Sequence, residues 1–232
     1  MDLTTSHEAA LRESVRERYS FLEVRNAAAV LKVTNPAAFE EIQDVLDGFT
    51  LRTSDFLTPG GQETQLAARL NRSFRSRGWR EARVDTRVRL ELRMLPFRPD
   101  GETEPVVVDT ETFSEGYLVD NFKDRLALDV EWNAKDGNLD RDISAYRALY
   151  DAGLIDGAVM VTRTQEDLRM LARKLATDAG WDDARGKKIL GTTTTTNAEK
   201  LKPRMTRGDA HGCPLLAVLI SADTWAEGEE PA

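Results

Sequence analysis

Residues 116–136 read GYLVDNFKDRLALDVEWNAKD, and the reading of this stretch decides the fold. In strand alternation Leu126, Leu128, Val130 and Trp132 fall on one face and Ala127, Asp129, Glu131 and Asn133 on the other, because successive strand side chains point to opposite sides. Two carboxylates therefore stand side by side on one surface of an expected core strand over 125–132. A third acid, Asp120, precedes Asp129 by nine residues, and a bend between them would bring it back to the pair. The spacing D-x8-D-x-E suits a metal site, yet Asp100, Asp109 and Glu111 repeat it upstream. Context separates the two copies. Asp109 ends a short VVVD run among polar residues, as an exposed strand end or loop would, whereas Asp129 and Glu131 interrupt an apolar segment. Burying unpaired carboxylates is expensive, so a metal ion or a basic partner is expected at 129 and 131. A solvent-facing side of the strand is the other reading that the pattern allows.

Around this strand, a helix is expected over roughly Asp140–Ala152, then a strongly apolar strand DGAVMVTR, a helix EDLRMLARKLATDAG and a buried strand CPLLAVLIS. Strand, helix, strand, helix, strand argues for an α/β core with helices packed on a mixed sheet. Upstream, 5–18 reads as one charged amphipathic helix, YSFLEVR as a strand, and Asn35-Pro36 as a helix start. QLAARLNRSFRSRG reads as a helix stopped by Gly78, and VDTRVRLELRML as a strand. TPGGQE reads as a loop, and RPDGETEPVVVDTETFSEG as a loop holding at most a short strand. With no internal repeat and no linker, residues 1–232 read as a single domain.

At 232 residues the chain is long enough for a real hydrophobic core, and 41% hydrophobic with 31% charged residues suits a globular protein. No apolar run approaches the ~18 residues of a membrane span, and the start MDLTTSHEAALRESVRERY does not read as a secretory signal. The single cysteine, Cys213, fits a reducing cytoplasm. Two histidines, His7 and His211, argue against a histidine-rich zinc site. A metal here would meet oxygen ligands, hence magnesium, manganese or calcium.

The net charge of −8 hides an uneven distribution. Ten arginines lie between Arg69 and Arg98 against Glu81, Asp85 and Glu91, and seven Lys/Arg lie between Arg185 and Arg207 against Glu199. Such segregation permits a basic, nucleic-acid-facing side on an acidic protein, and equally permits solvated arginines on helices and edge strands. The run TTTTT at 192–196 sits inside the second basic segment. It could touch phosphates or base edges, or form a strand of β-branched residues.

DNFKDRLALDVEWN resembles the active-site strand of BglII/BstYI-type type II restriction endonucleases, a branch of the PD-(D/E)xK nuclease fold. The resemblance extends through NAAAVLKVTNPAAFEEIQDVL, LNRSFRSRGWREARV, DRDISAYRALYDAGLIDGAVMVTR and GCPLLAVLI, covering roughly residues 19–221. It implies a restriction-endonuclease-like α/β core with a mixed sheet flanked by helices. Asp120 then matches the metal-binding aspartate at the bend, and Asp129 matches the second acid, usually glutamate in this group. Glu131 falls where the wider superfamily has lysine and close relatives often have glutamine, so it would bind metal or orient the attacking water rather than act as a cation. Glu63 and Glu81 are candidate extra acids.

The resemblance further implies Mg2+-dependent hydrolysis of double-stranded DNA at a short palindromic sequence, with Mn2+ a workable substitute, 5′-phosphate products, a homodimer and a companion DNA methyltransferase. It places the protein in a prokaryotic cytoplasm. Candidate DNA contacts are Asn133, Lys135, Arg141, Thr194, Thr195, Thr196, Asn197, Lys200 and Arg204. Two alternatives stay open: a sequence-independent or structure-specific nuclease of the same fold, and a DNA-binding protein without catalysis.

Overall fold

The computed structural model describes residues 1–58 and 65–226. Most of the expected TPGGQE loop, with Glu63, and most of the acidic tail lie outside the described residues. The chain divides into two compact units, Met1–Ala82 with Val119–Ala232, and Arg83–Leu118.

In chain order the described elements are α1 (His7–Ala10), α2 (Glu13–Arg16), β1 (Tyr19–Val24), α3 (Ala27–Thr34), α4 (Pro36–Gly48), α5 (Thr53–Leu57), α6 (Gln65–Arg75), β2 (Arg80–Met94), β3 (Val106–Lys123), β4 (Leu126–Val130), α7 (Gly137–Asp151), β5 (Gly157–Arg163), α8 (Glu166–Asp178), α9 (Asp183–Gly186), α10 (Ala198–Arg207) and β6 (Leu215–Ile220). The strands form a six-stranded sheet in the order β1-β6-β5-β4-β3-β2. Pairing is antiparallel for β1–β6 and β3–β4 and parallel for β4–β5 and β5–β6. The sheet is therefore mixed, as the sequence predicts.

The central strands form where they do because both of their faces are covered. GAVMVTR and LLAVLI are buried at every position, and strands buried on two sides read as continuous apolar runs. On one face Leu126, Leu128, Val130 and Trp132 join Val159, Val161, Leu216 and Val218 in the main core, with Phe39 and Ile42 of α4, Leu66 and Phe74 of α6 and Leu168 of α8. The opposite face carries Asp129, and α7 lies against it, with the Tyr146 hydroxyl reaching the Asp129 carboxylate.

Two expectations change. The helix read over 5–18 breaks into α1 and α2 at Leu11, whose backbone is extended. The Arg12 backbone N–H there donates to Gln43 Oε1 at 2.7 Å, and its guanidinium meets Glu40, Asp44 and Asp47 of α4. Those tertiary bonds replace continuation of a helix too short to be stable alone.

In the second unit, the segment read as a loop is mostly β3, which begins at Val106 and runs on past this unit. Ion pairs run across the strands at Arg83–Glu115 (3.2 Å), Arg87–Glu111 (3.3 Å) and Arg89–Asp109 (3.6 Å). Each is exposed, where solvent screening leaves an ion pair little net stability. These pairs sit at odd-numbered positions, whereas Val88, Leu90, Leu92, Met94, Val106 and Val108 are even-numbered and exposed. Asp109 and Glu111, the second copy of the acid spacing, are thus exposed partners of arginines.

Candidate active site

Asp120 and Asp129 meet where β3 and β4 run side by side. The two strands pair antiparallel through Asn121↔Leu128, Phe122↔Ala127 and Lys123↔Leu126, and Asp124 turns the chain with a left-handed φ of 53°. This tight hairpin is the bend that the nine-residue separation requires. The backbone N–H of Asp120 donates to Asp129 Oδ1 at 2.7 Å, and Val130 N–H donates to Asp120 Oδ2 at 3.3 Å. The other oxygen of Asp129 accepts from Tyr146 Oη at 2.6 Å. Glu131 continues the strand, its N–H donating to Val161 O at 2.8 Å. Its carboxylate lies 3.4 Å from Asn138 Nδ2 and 3.6 Å from Arg141 Nη2.

Asp129 is 4% exposed and Glu131 5% exposed, while Asp120 is half-buried. The acids that interrupt the apolar strand are therefore inside the protein, on the face opposite the main core. Burial, followed by the charges of Asp142 and Asp120, pushes the Asp129 carboxyl up to about 7 against the bonds from the Asp120 N–H and Tyr146. Glu131 is also raised, by burial first and then by Asp142. Asp142 of α7 is itself 2% exposed and raised by burial. A hydroxyl aimed at a buried carboxylate matters to stability. Tyr146→Phe is expected to cost about 1–3 kcal/mol where Asp129 is ionised, because it leaves a buried acceptor without its donor. Urea unfolding at alkaline pH would measure this, and an unchanged midpoint would remove Tyr146 from the site.

The remaining predicted residues gather around the same strand end but differ in their surroundings. The threonine run is a loop laid against residues 131–136 rather than a strand. Thr196 N–H donates to Ala134 O, Asp136 N–H donates to Thr194 O, and Lys135 and Thr195 form an isolated bridge. Thr196 Oγ1 donates to Glu131 O at 3.0 Å. Thr195 Oγ1 accepts from the fully buried Arg163 at 3.1 Å, and Asn197 caps α10 by accepting from Lys200 N–H at 3.0 Å. Thr195, Thr196 and Asn197 are thus buried and bonded within the chain, whereas Thr194, Lys135 and Asn133 are exposed and Lys200 half-buried. Arg204 is bound to Asp140 through two 2.7 Å hydrogen bonds. Arg141 is bound to Asp142 Oδ1 at 2.9 and 2.8 Å, with its side chain 58% exposed. Asn133 adopts a left-handed φ of 56° and lines a pocket with Trp132, Trp181, Arg185 and Lys188.

The model of the restriction endonuclease BglII/BglIII family matches residues 19–220. The chain belongs to that family. It is accordingly a DNA-cleaving hydrolase, a site-specific nuclease that binds double-stranded DNA. None of the curated proteins compared with it matches. No helix among the described residues is long and apolar enough to cross a membrane.

Restriction endonucleases of this type generally use divalent metal ions. The acids of this BglII-type chain fit such an ion chemically. They are hard oxygen donors, and Asp142 Oδ2 is a buried carboxylate oxygen without a hydrogen-bond partner. Among the described residues no three His, Cys, Asp or Glu side chains form a ready-made cage. Magnesium does not need one, since it is commonly held by one or two carboxylates with waters and substrate phosphates.

Asn138, Asp142 and Tyr146 were not picked out from the sequence. Their spacing was the available signal: four residues apart on a helix, they share one face, and two polar residues on the face of Tyr146 imply a polar partner beneath.

Proposed function

We propose that this chain is a homodimeric type II restriction enzyme that cuts double-stranded DNA at a short palindrome, using magnesium and leaving 5′ phosphates. The observation that carries this reading is the junction of the half-buried Asp120 with the buried Asp129, joined through a 2.7 Å hydrogen bond where β3 and β4 run side by side. Asp120, Asp129 and Glu131 would hold the cation. A bound divalent cation would supply Lewis-acid stabilisation of charge on the scissile phosphate and lower the pKa of the attacking water.

The chain's own residues prepare that site. The Asp120 N–H and the Tyr146 hydroxyl fix the two oxygens of Asp129 in place. Glu131 cannot act as the cation that lysine supplies elsewhere in the superfamily, and Arg141, at 3.6 Å, brings positive charge to that position. The exposed Lys135, Thr194 and Asn133, with Lys200, are the groups proposed to reach DNA. Thr195, Thr196 and Asn197 would act by shaping the loop that presents Thr194. Arg141 and Arg204 can contact phosphates only by sharing or exchanging their bonds to Asp142 and Asp140.

A two-fold dimer matches the two-fold symmetry of a palindrome, and both units of the chain are proposed to act as one nuclease domain. A companion methyltransferase would protect the host sites.

Digestion of unmethylated plasmid and phage DNA tests the proposal. Discrete fragments are expected with Mg2+ or Mn2+ and none in EDTA, and sequencing the ends gives the site and the 5′ phosphate. A smear would mean sequence-independent cleavage, and intact DNA with every cation tried would defeat the catalytic reading.

A further inference from the structure

We infer that Asp142, on α7, is a further ligand for the divalent cation, facing the gap between the strand acids Asp129 and Glu131. The inference rests on the metal-dependent reading proposed above. Asn138 reaches Glu131, and Tyr146 reaches Asp129. The helix therefore runs alongside the strand, with its first turn reaching Glu131 and its middle reaching Asp129. Asp142 is four residues from each, and an α-helix rises ~6 Å over four residues. Two residues of a strand span ~6.7 Å. Asn138 and Tyr146 are thus ~12 Å apart along α7, converging on two acids that stand closer together than that, and Asp142, midway between them, faces both, with its carboxyl beside that of Glu131.

Asp142 lacks the surroundings that a purely structural buried acid has. Its Oδ1 accepts from Arg141 Nε and Nη2, but its Oδ2 is buried with no donor, and the neighbouring Glu131 carboxyl can bond Asp142 only when one of the two carries a proton. A satisfied interior rarely leaves a carboxylate oxygen in that condition. Charge points the same way. Against three buried carboxylates, Asp129, Glu131 and Asp142, the cation in contact among the described residues is Arg141, whose side chain is mostly exposed. Buried like charges repel and need a counter-ion or protons. A hard divalent cation held by oxygen ligands supplies that counter-charge and a partner for Oδ2 together. Arg141 is in contact with both Glu131 and Asp142, but it reaches them from the solvent side and leaves Oδ2 of Asp142 without a donor.

Mn2+ binding to the full-length protein, without DNA, tests the assignment by calorimetry and by the cation-induced rise in Tm. Wild type, Asp142→Asn and Arg141→Ala are compared. In Asp142→Asn, Mn2+ affinity is expected to fall at least about tenfold, and most of the Mn2+-induced rise in Tm should vanish. The same variant without metal should unfold no lower than wild type, because a buried charge has been removed. Arg141→Ala should keep Mn2+ affinity near wild type.

If Asp142→Asn binds Mn2+ as wild type does, the assignment is overturned while the metal-dependent reading stands. Equal losses in Asp142→Asn and Arg141→Ala would also overturn it, since Asp142 would then act only through the arginine. Wild-type protein that binds no Mn2+ would overturn the assignment, while digestion of DNA in Mg2+ and in EDTA decides the metal-dependent reading separately, because substrate phosphates can complete a metal site. Should Asp142→Asn fail to fold, Asp142→Ser is read against the same outcomes.

Discussion

Asp129→Asn is expected to reduce DNA cleavage by about 10^3-fold or more, the scale on which removing one group that stabilises transition-state charge is felt, while the protein stays folded. The amide keeps the shape of the carboxylate. Its oxygen can still accept from the Asp120 N–H or from Tyr146, both of which hold Asp129 in place now. What is lost is the negative charge, and with it the strongest reason for a cation to bind here. The folded state should be no weaker without metal, because Asp129 is 4% exposed and its charged form is disfavoured by burial and by Asp142. The informative result is therefore a pair: loss of cleavage with an unchanged or higher melting temperature in EDTA. Retained cleavage would show that Asp129 is not part of the reacting site. A collapse of stability would show that its carboxylate is a structural group instead.

The second large effect is a dependence of stability on pH that a divalent cation should counter. The carboxyl of Asp129 is raised from its ordinary 3.8 to about 7, and burial raises Glu131 and Asp142 in the same direction. A group whose pKa is higher in the folded state contributes stability that is full below its unfolded value and lost as pH rises through its folded value. Metal-free protein should therefore melt at progressively lower temperature from about pH 5 to about pH 8. Carboxyls held below their ordinary range act in a different window. Glu23, bonded by His7 and Ser6 and lowered to about 2, contributes stability that is lost only in more acid solution. Mg2+ or Mn2+ competes with protons for the same oxygens, so stabilisation by the cation should grow across the same interval. Melting curves in EDTA and in Mg2+ at several pH values would measure both trends. A metal-free melting temperature that stays level or rises from about pH 5 to about pH 8 contradicts this account. So does an Asp129→Asn variant that keeps the full slope.

The parts of the molecule legible in the sequence are those where one residue's environment follows from its neighbours. GAVMVTR and LLAVLI could only be interior strands, and the alternation from Leu126 to Trp132 put Asp129 and Glu131 together on one face. A hairpin or bend after Asp120 was what the acid spacing required, and the structure supplies it as the turn at Asp124. The arginine-rich segment from 69 to 98 was harder to read. Part of its positive charge is answered in the structure by acids that lie elsewhere in the chain, among them Asp55 for Arg69, Glu111 for Arg87 and Asp109 for Arg89. A count along the chain sees the arginines as a block, and only the pairing of strands and helices brings their partners to them.

The sequence by itself determined the mixed α/β core, the strand that carries the acids and the side of it on which they stand, because strand alternation and apolar runs are local properties of the chain. Tertiary structure decided which copy of the acid spacing is buried, since Asp109 and Glu111 lie exposed across from arginines while Asp129 and Glu131 face α7. It also decided that the threonine loop braces the end of the acidic strand, and that Asp142 and Tyr146 belong beside acids far from them in the chain. Burial and hydrogen bonding across the sheet depend on what packs opposite a residue, and no pattern within a single segment contains that.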